Sequence, residues 1–474
     1  MPRPQRLSAL EATFLALSTP QVPFLPGCVL LLDRPLSRAA LEARIAALLV
    51  ELPRYRQRIA RAPVVHSLAW VDDETFSLSR HVDVLPLPSP GGQRELEAAV
   101  APLLTAGVPE DHPPWRVWTV EGLADGKGAL VAVVHHALVD GVAGIGLLER
   151  LLQLAPGTPT SAEHIESHEP AHPQSIVERI VQRIAADVRG RAAAWRELTH
   201  LTEVGQHARV LADLVWQGLQ PASDIGLSGR RLTRERSFAM FTTSLEETKA
   251  IKRAFGVTLN DVLLACISGA LRRLVARRGI DPDQLDDVRA MVPVNRHTRA
   301  EHATSGNRVT LLLAGLSTEQ ADPVTRLRRI AETTRSLKQR DEAGAGDMLV
   351  ALSSLTWSGV LTNVFRIALW RRAFNVVVTN VPGPPLPLYL LDARVTSFAP
   401  IVNLWPHIPL ALAIGSYAGT ITITIDADRA ILPDLGPFVH DLEDSFAELR
   451  AAMPRVGVGD DRSAAERPAP DTRS

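Results

Sequence analysis

The residues of this chain best suited to chemistry stand together at His135-His136-Ala137-Leu138-Val139-Asp140-Gly141, two imidazoles, a carboxylate and a glycine in the spacing H-H-x-x-x-D-G. Neutral imidazole has an intrinsic pKa close to working pH, so a histidine at the edge of a cleft can take a proton from a reacting group. The flanks say what must hold it. Ala129-Leu130-Val131-Ala132-Val133-Val134 reads as a buried strand, and Val142–Leu154 as a helix. The pair therefore sits where a strand gives way to a loop. Gly141 supplies backbone freedom or close approach. Asp140 has two readings: orienter of the base, or a structural acid that caps the following helix and pairs with a buried arginine, Arg296 or Arg299 being the candidates.

A second polar pair, Asn260-Asp261, opens another helix. Thr258-x-x-Asp261 has the form of a capping box, so Asp261 is a helix cap on one reading. On the other, Asn260 helps shape the site as a donor to a developing oxyanion. Trp115 is either a chain-contact residue or part of the core. His164, His168 and His172 recur every four residues, but Pro159, Pro170 and Pro173 break any helix that would align them, so no metal site is expected. Cys28 and Cys266 lie in apolar runs and read as buried thiols in a reducing compartment.

Bulk properties bound the rest. A chain of 474 residues is long for one hydrophobic core, so two domains are expected. With 46% hydrophobic and 22% charged residues it reads as globular, and a net charge of −1 gives no global attraction to nucleic acid or anionic lipid. The N-terminal stretch, interrupted by Glu11, does not read as a signal peptide. The longest charge-free stretch, Met348 to Phe365, is short for a membrane span and reads as a buried helix.

Short apolar strands are expected at Gly27–Leu32, Leu68–Val71, Val117–Val120 and Leu130–Val134, with helices at Arg38–Leu49 and Glu95–Leu104. After a proline-rich loop, Ala155–Gln174, helical patterns run to Gln220. A second mixed block begins near Ser237. Ser244-x-x-Glu247 opens a helix ending near Gly256. Strands follow at Val288–Val294, Val309–Leu313 and Phe374–Thr379. Ile408–Gly415 and Thr420–Asp426 form a hairpin joined by Ser416-Tyr417-Ala418-Gly419. In its second strand Thr420, Thr422 and Thr424 alternate with Ile421, Ile423 and Ile425, one face buried and one polar.

Read in order, these segments resemble the bacterial wax ester synthase/diacylglycerol acyltransferase family. Leu7-Ser8-Ala9-Leu10-Glu11-Ala12-Thr13-Phe14-Leu15 is similar to its opening segment, and Pro53-Arg54-Tyr55-Arg56-Gln57-Arg58 to its next. Pro113-Pro114-Trp115 resembles its Pro-Leu-Trp element, with Pro114 in place of leucine. His135–Gly141 matches its active-site motif, and Asn260-Asp261-Val262-Leu263-Leu264-Ala265 its Asn-Asp motif. Met291-Val292-Pro293-Val294, Gly306-Asn307-Arg308-Val309-Thr310 and Asn380-Val381-Pro382-Gly383-Pro384 fit later blocks. The histidine motif alone is shared with condensation domains; the ordered set points to this family.

The resemblance implies an α/β fold of two coenzyme-A-dependent acyltransferase-like domains with mixed sheets flanked by helices. The expected organisation is an N-terminal domain over 1–174, a helical linker over 175–236, a C-terminal domain over 237–454 and a disordered tail over 455–474. It implies an acyl-CoA-dependent O-acyltransferase acting on a long-chain alcohol or diacylglycerol, with His136 as general base and His135, Asp140, Gly141, Asn260 and Asp261 in support. Absence of a serine or cysteine nucleophile motif favours direct transfer over an acyl-enzyme. Acyl-CoA is then a co-substrate and no cofactor is expected. Apolar substrates imply a cytoplasmic protein docked on a membrane or lipid droplet. The rival readings are a carrier-protein-dependent condensation or tailoring acyltransferase and an inactive lipid-binding relative.

Overall fold

The computed structural model describes residues 5–61, 68–106, 108, 111–139, 146–157, 220–227, 231–295, 309–340, 372–384 and 386–454. Most of the expected linker, the charge-free stretch 348–365, the three spaced histidines and the expected tail lie outside these residues.

Strand Gly27–Leu32 shows why its sequence is apolar without alternation. Leu30, Leu32 and the neighbouring Leu130 pack on one side against Leu41, Ile45 and Leu48 of helix Arg38–Leu49. Val29, Val131 and Val133 pack on the other side against Leu96 and Val100 of helix Gln93–Val100, and against Phe238 and Met240. A sheet covered on both faces needs apolar residues at every position. Full burial of each such side chain is worth about 1.5–3 kcal/mol.

This strand lies within a seven-stranded sheet. Its order is Val82–Pro86, Trp115–Glu121, Gly128–Val134, Gly27–Leu32, Ala393–Ile401, Tyr389–Leu390 and Leu152–Gln153. A six-stranded sheet has the order Val309–Gly315, Arg289–Asn295, Val376–Pro382, Leu410–Tyr417, Thr420–Asp428 and Arg236–Ser244. Both mix parallel and antiparallel pairs. Helices Leu245–Phe255, Leu259–Arg277, Pro323–Arg340 and Gly436–Ala451 accompany the six-stranded sheet. A small three-stranded sheet, Gln5–Arg6, Leu68–Asp72 and Gln57–Arg61, completes the described strands.

Strand Ala393–Ile401 ties the two larger sheets. It follows Val376–Pro382 of the six-stranded sheet in the chain, yet pairs antiparallel with Gly27–Leu32, Pro400 opposite Cys28. In doing so it crosses the hairpin. Thr424 Oγ1 donates to the Pro400 carbonyl, and the Ser397 and Thr422 hydroxyls lie 3.2 Å apart. Gly415 permits the crossing: a Cβ there would lie 2.6 Å from Pro400 Cδ and 2.8 Å from the Phe398 carbonyl oxygen. The threonine face of Thr420–Asp428 is therefore covered along with the isoleucine face, and both are buried from Ile421 onward. The Thr422 and Thr424 hydroxyls thus meet the crossing strand.

Other local expectations shift for identifiable reasons. The hairpin turns on two residues, Ala418 and Gly419, with φ of 46° and 88°, and Ser416 and Tyr417 stay in the strand. Positive φ at both central positions matches the twist of the flanking strands. The helix expected to reach Leu154 stops at Leu151, because Leu152–Gln153 pairs with Tyr389–Leu390. Ser244 Oγ accepts from the Glu247 N–H at 3.3 Å, while the Glu247 carboxylate lies 3.5 Å from Arg450, so the cap is one-armed.

Candidate active site

Three consecutive N–H groups at the end of strand Gly128–Val134 fix the histidine pair. Val134 N–H donates to the Pro26 carbonyl at 2.9 Å, His135 N–H to Pro114 at 2.8 Å and His136 N–H to Phe24 at 2.9 Å. The acceptors come from the segments flanking the two neighbouring strands, so the loop is pinned from both sides. Helix His136–Val139 then begins, with Leu138 N–H bonded to the His135 carbonyl. Gly27 has no room for a side chain beside this loop: a Cβ would fall 2.0 Å from the Ala132 carbonyl oxygen.

The side chains differ. His135 is buried, and its Nδ1 accepts the Ala137 N–H at 3.1 Å. An accepting Nδ1 places the proton on Nε2, so the ring is neutral. Burial, reinforced by His136, lowers its pKa to about 4. His136 is partly buried and stacks on Phe14, with ring centroids 3.8 Å apart and 15° between planes. Burial also lowers its pKa to about 4, against the opposing pull of its own backbone. Both imidazoles are neutral at pH 7, the form that can accept a proton.

Packing extends behind the stack. Phe14 lies 5.6 Å from Phe24, and Phe24 meets Trp405 edge-on at 5.3 Å. Phe24, whose carbonyl holds His136, has φ of 50° and is fully buried. A left-handed conformation at a bulky residue costs of order 1–3 kcal/mol, which the surrounding packing offsets. Phe14 and Phe24 were not singled out from sequence. Phe14 falls in the matched opening segment, but nothing in that segment's pattern announces a ring laid on a distant histidine.

The remaining expected residues separate. Asp261 is buried, its Oδ2 accepting the Thr258 N–H at 2.8 Å and its Oδ1 the Thr334 hydroxyl at 2.6 Å. Thr258 Oγ1 accepts the Asp261 N–H in return. Both carboxylate oxygens thus serve to cap helix Leu259–Arg277 and tie it to helix Pro323–Arg340. Asn260, beside it in the first turn, is partly buried. Trp115 is 1% exposed; its Nε1–H donates to the Tyr55 carbonyl at 2.8 Å, and its ring packs edge-on against Tyr55. That is the core alternative, and it leaves no side-chain surface for a substrate. Asp140 and Gly141 lie outside the described residues, as do Arg296 and Arg299.

The architecture defines a class. The fold is similar to that of a wax ester synthase/diacylglycerol acyltransferase from Marinobacter aquaeolei VT8 (TM-score 0.67, 24% identity, 94% of this chain and 99% of that one). It is also similar to that of the starter condensation domain of rhizomide synthetase RzmA (TM-score 0.56, 13% identity, 94% of each chain). The wax ester synthase/diacylglycerol acyltransferase catalytic domain matches residues 7–263, and the WS/DGAT C-terminal domain matches 305–450. The chain belongs to this family and is an O-acyltransferase. Among its relatives is a Mycobacterium tuberculosis protein named as a probable diacylglycerol O-acyltransferase, tgs1, 29% identical over 463 residues, 95% of this chain and 97% of that protein. A second M. tuberculosis protein with a diacylglycerol O-acyltransferase name is 30% identical over 415 residues, 85% of this chain and 86% of that one.

Proposed function

We propose that this O-acyltransferase moves a fatty acyl group from acyl-CoA to the hydroxyl of a long-chain alcohol or a diacylglycerol, with His136 as general base. The observation that carries this reading is the His136 ring, stacked on Phe14 and fixed through its backbone at a strand end, where burial favours the neutral imidazole. His136 takes the hydroxyl proton as the oxygen attacks the thioester carbonyl. The carbonyl π pair moves to oxygen, giving a tetrahedral oxyanion. Collapse re-forms the carbonyl and breaks the C–S bond, and the imidazolium returns its proton to the departing thiolate. A low pKa makes the resting imidazole a weak base. The oxyanion forming as the ring becomes charged offsets this, because opposite charges in a poorly solvated site stabilise one another.

Direct transfer is supported by the thiols. Cys28 and Cys266 are buried, and burial raises both, Cys28 to about 12, so neither offers a thiolate nucleophile at neutral pH. The Phe14, Phe24 and Trp405 rings would exclude water, which competes as acceptor.

We place the protein in the cytoplasm, on a membrane or lipid-droplet surface. The segment 380–391 carries no charge, and its Val381 and Leu386 are exposed. Leu154, also exposed, lies next to it because Gln153 pairs with Tyr389. An exposed apolar patch of this kind suits shallow contact with lipid. Among the described residues no single helix is long and apolar enough to cross a membrane.

The test offers oleoyl-CoA with hexadecanol and dioleoylglycerol together, following ester and free thiol. The expected result is ester matched one-to-one by thiol, with the product ratio giving the acceptor preference. Transfer only from an acyl carrier protein, or acyl-chain binding without turnover, would overturn the reading. Flotation with liposomes tests the surface: Leu386→Asp should lower the floated fraction, and an unchanged fraction contradicts the docking proposal.

A further inference from the structure

We propose that His81 is a positioning residue for acyl transfer: its imidazole locks Trp115, and with it the Pro114 carbonyl that fixes the catalytic loop. The proposal rests on the reading of His136 as the base.

His81 follows the short turn Leu78–Arg80 and is 2% exposed. Its Nδ1 lies 2.8 Å from the Trp115 carbonyl oxygen. A carbonyl only accepts, so Nδ1 carries the proton. Its Nε2 is buried with no hydrogen-bond partner among the described residues. A second proton there would be unsatisfied, which keeps the ring neutral with the hydrogen on Nδ1. Burial lowers its pKa; of the charged and titratable groups near it, Arg116 and His112 reinforce that direction and Asp73 opposes it.

The ring is clamped as well as bonded. It stacks on Phe76 at 5.1 Å and on Trp115 at 4.6 Å. The His81 carbonyl accepts the Val117 N–H at 2.8 Å, joining it to the start of strand Trp115–Glu121. Trp115 is thereby held at its carbonyl by His81, at its indole N–H by Tyr55 and across its face by an imidazole.

One residue back, the Pro114 carbonyl accepts the His135 N–H, and the Pro113 carbonyl accepts the Trp115 N–H at 2.9 Å. That turn-closing bond restrains the backbone torsions joining Trp115 to the Pro114 carbonyl, and the fixed φ of both prolines steadies the segment that enters it. The path from His81 Nδ1 to the catalytic loop is thus one hydrogen bond, one peptide unit and a second hydrogen bond. A leucine could fill the same volume, but it would leave the Trp115 carbonyl without this donor.

The amides of Asn and Gln separate donation from packing. Asn presents an N–H near the place of imidazole Nδ1, and Gln near that of Nε2. His81→Asn should keep kcat within about threefold of the parent, while His81→Gln and His81→Leu should lose at least about tenfold in kcat, as expected when a reacting group is slightly misplaced. KM for oleoyl-CoA should stay within about twofold in each, because substrate contacts are untouched. Melting temperatures measured alongside restrict the comparison to folded protein; if His81→Leu does not fold, the Asn and Gln pair carries the test. Equal kcat for Asn and Gln, or a loss confined to KM, would overturn the proposal. His136→Ala run in parallel keeps the readings apart. An inactive His136→Ala beside fully active His81→Gln sinks the positioning role alone, whereas an active His136→Ala sinks the base.

Discussion

His135-His136 and Asn260-Asp261 are both polar pairs at the start of a helix in matched family blocks, yet the molecule uses them differently. Around the histidines, backbone groups are saturated: three consecutive N–H groups find carbonyls, and the His136 ring is left on an aromatic stack. Around Asp261 the side chain itself is saturated, one oxygen on the helix cap and the other on Thr334. A side chain whose bonding capacity is consumed internally is a fastener. One fixed through its backbone at a strand end, with its ring stacked on Phe14, suits the proton transfer proposed above. The difference lies in how each pair is held, through backbone amides and a ring stack or through the carboxylate itself.

Several substitutions sharpen this contrast. Asp261→Ala should cost about 2–4 kcal/mol of stability, since a cap and a buried charged hydrogen bond are lost together. Denaturant unfolding measures it, and kcat of the folded fraction should change little. Phe14→Leu should do the opposite, lowering kcat by about tenfold through a misplaced imidazole while stability falls by about 1 kcal/mol. Paired kinetics and melting curves would show whether the two effects separate.

Titration provides a gentler contrast. His135 and His136 have folded pKa values near 4, below the 6.5 of a free imidazole. Their contribution to stability is present above that free value and is lost as pH falls towards 4. The pH profile of kcat/KM should accordingly be level through neutrality and drop only near 4. Asp426, buried beside Asp428 with Arg236 3.7 Å away, runs the other way. Burial raises its pKa to about 7, with Arg236 opposing and Asp428 reinforcing. Its contribution is present below the ordinary value of 3.8 and is lost as pH rises through 7. Asp426→Asn should therefore be more stable than the parent above pH 7, by an amount that shrinks in acid, as pH-dependent unfolding would record.

The histidine pair, its strand, the Thr258 cap and the Ile–Thr hairpin were legible because each is local: a period, a spacing or a cap can be read within a few residues. The crossing strand Ala393–Ile401 was not, because its partner Gly27–Leu32 is remote in the chain and no local signal encodes the pairing. The same holds for Phe14 on His136 and for His81 on Trp115. Family resemblance pointed to His136, but only packing shows which carbonyls and rings hold it. Trp115 was readable as aromatic and apolar; that its indole bonds inward to Tyr55 depends on a contact 60 residues away.

Thiol release from oleoyl-CoA in the presence of hexadecanol or dioleoylglycerol, compared between the parent and His136→Ala at matched melting temperature, tests the central claim most directly. The account predicts a fall in kcat of at least about a hundredfold with either acceptor, the usual contribution of a positioned general base. Ester formation by His136→Ala at the parental rate would contradict it.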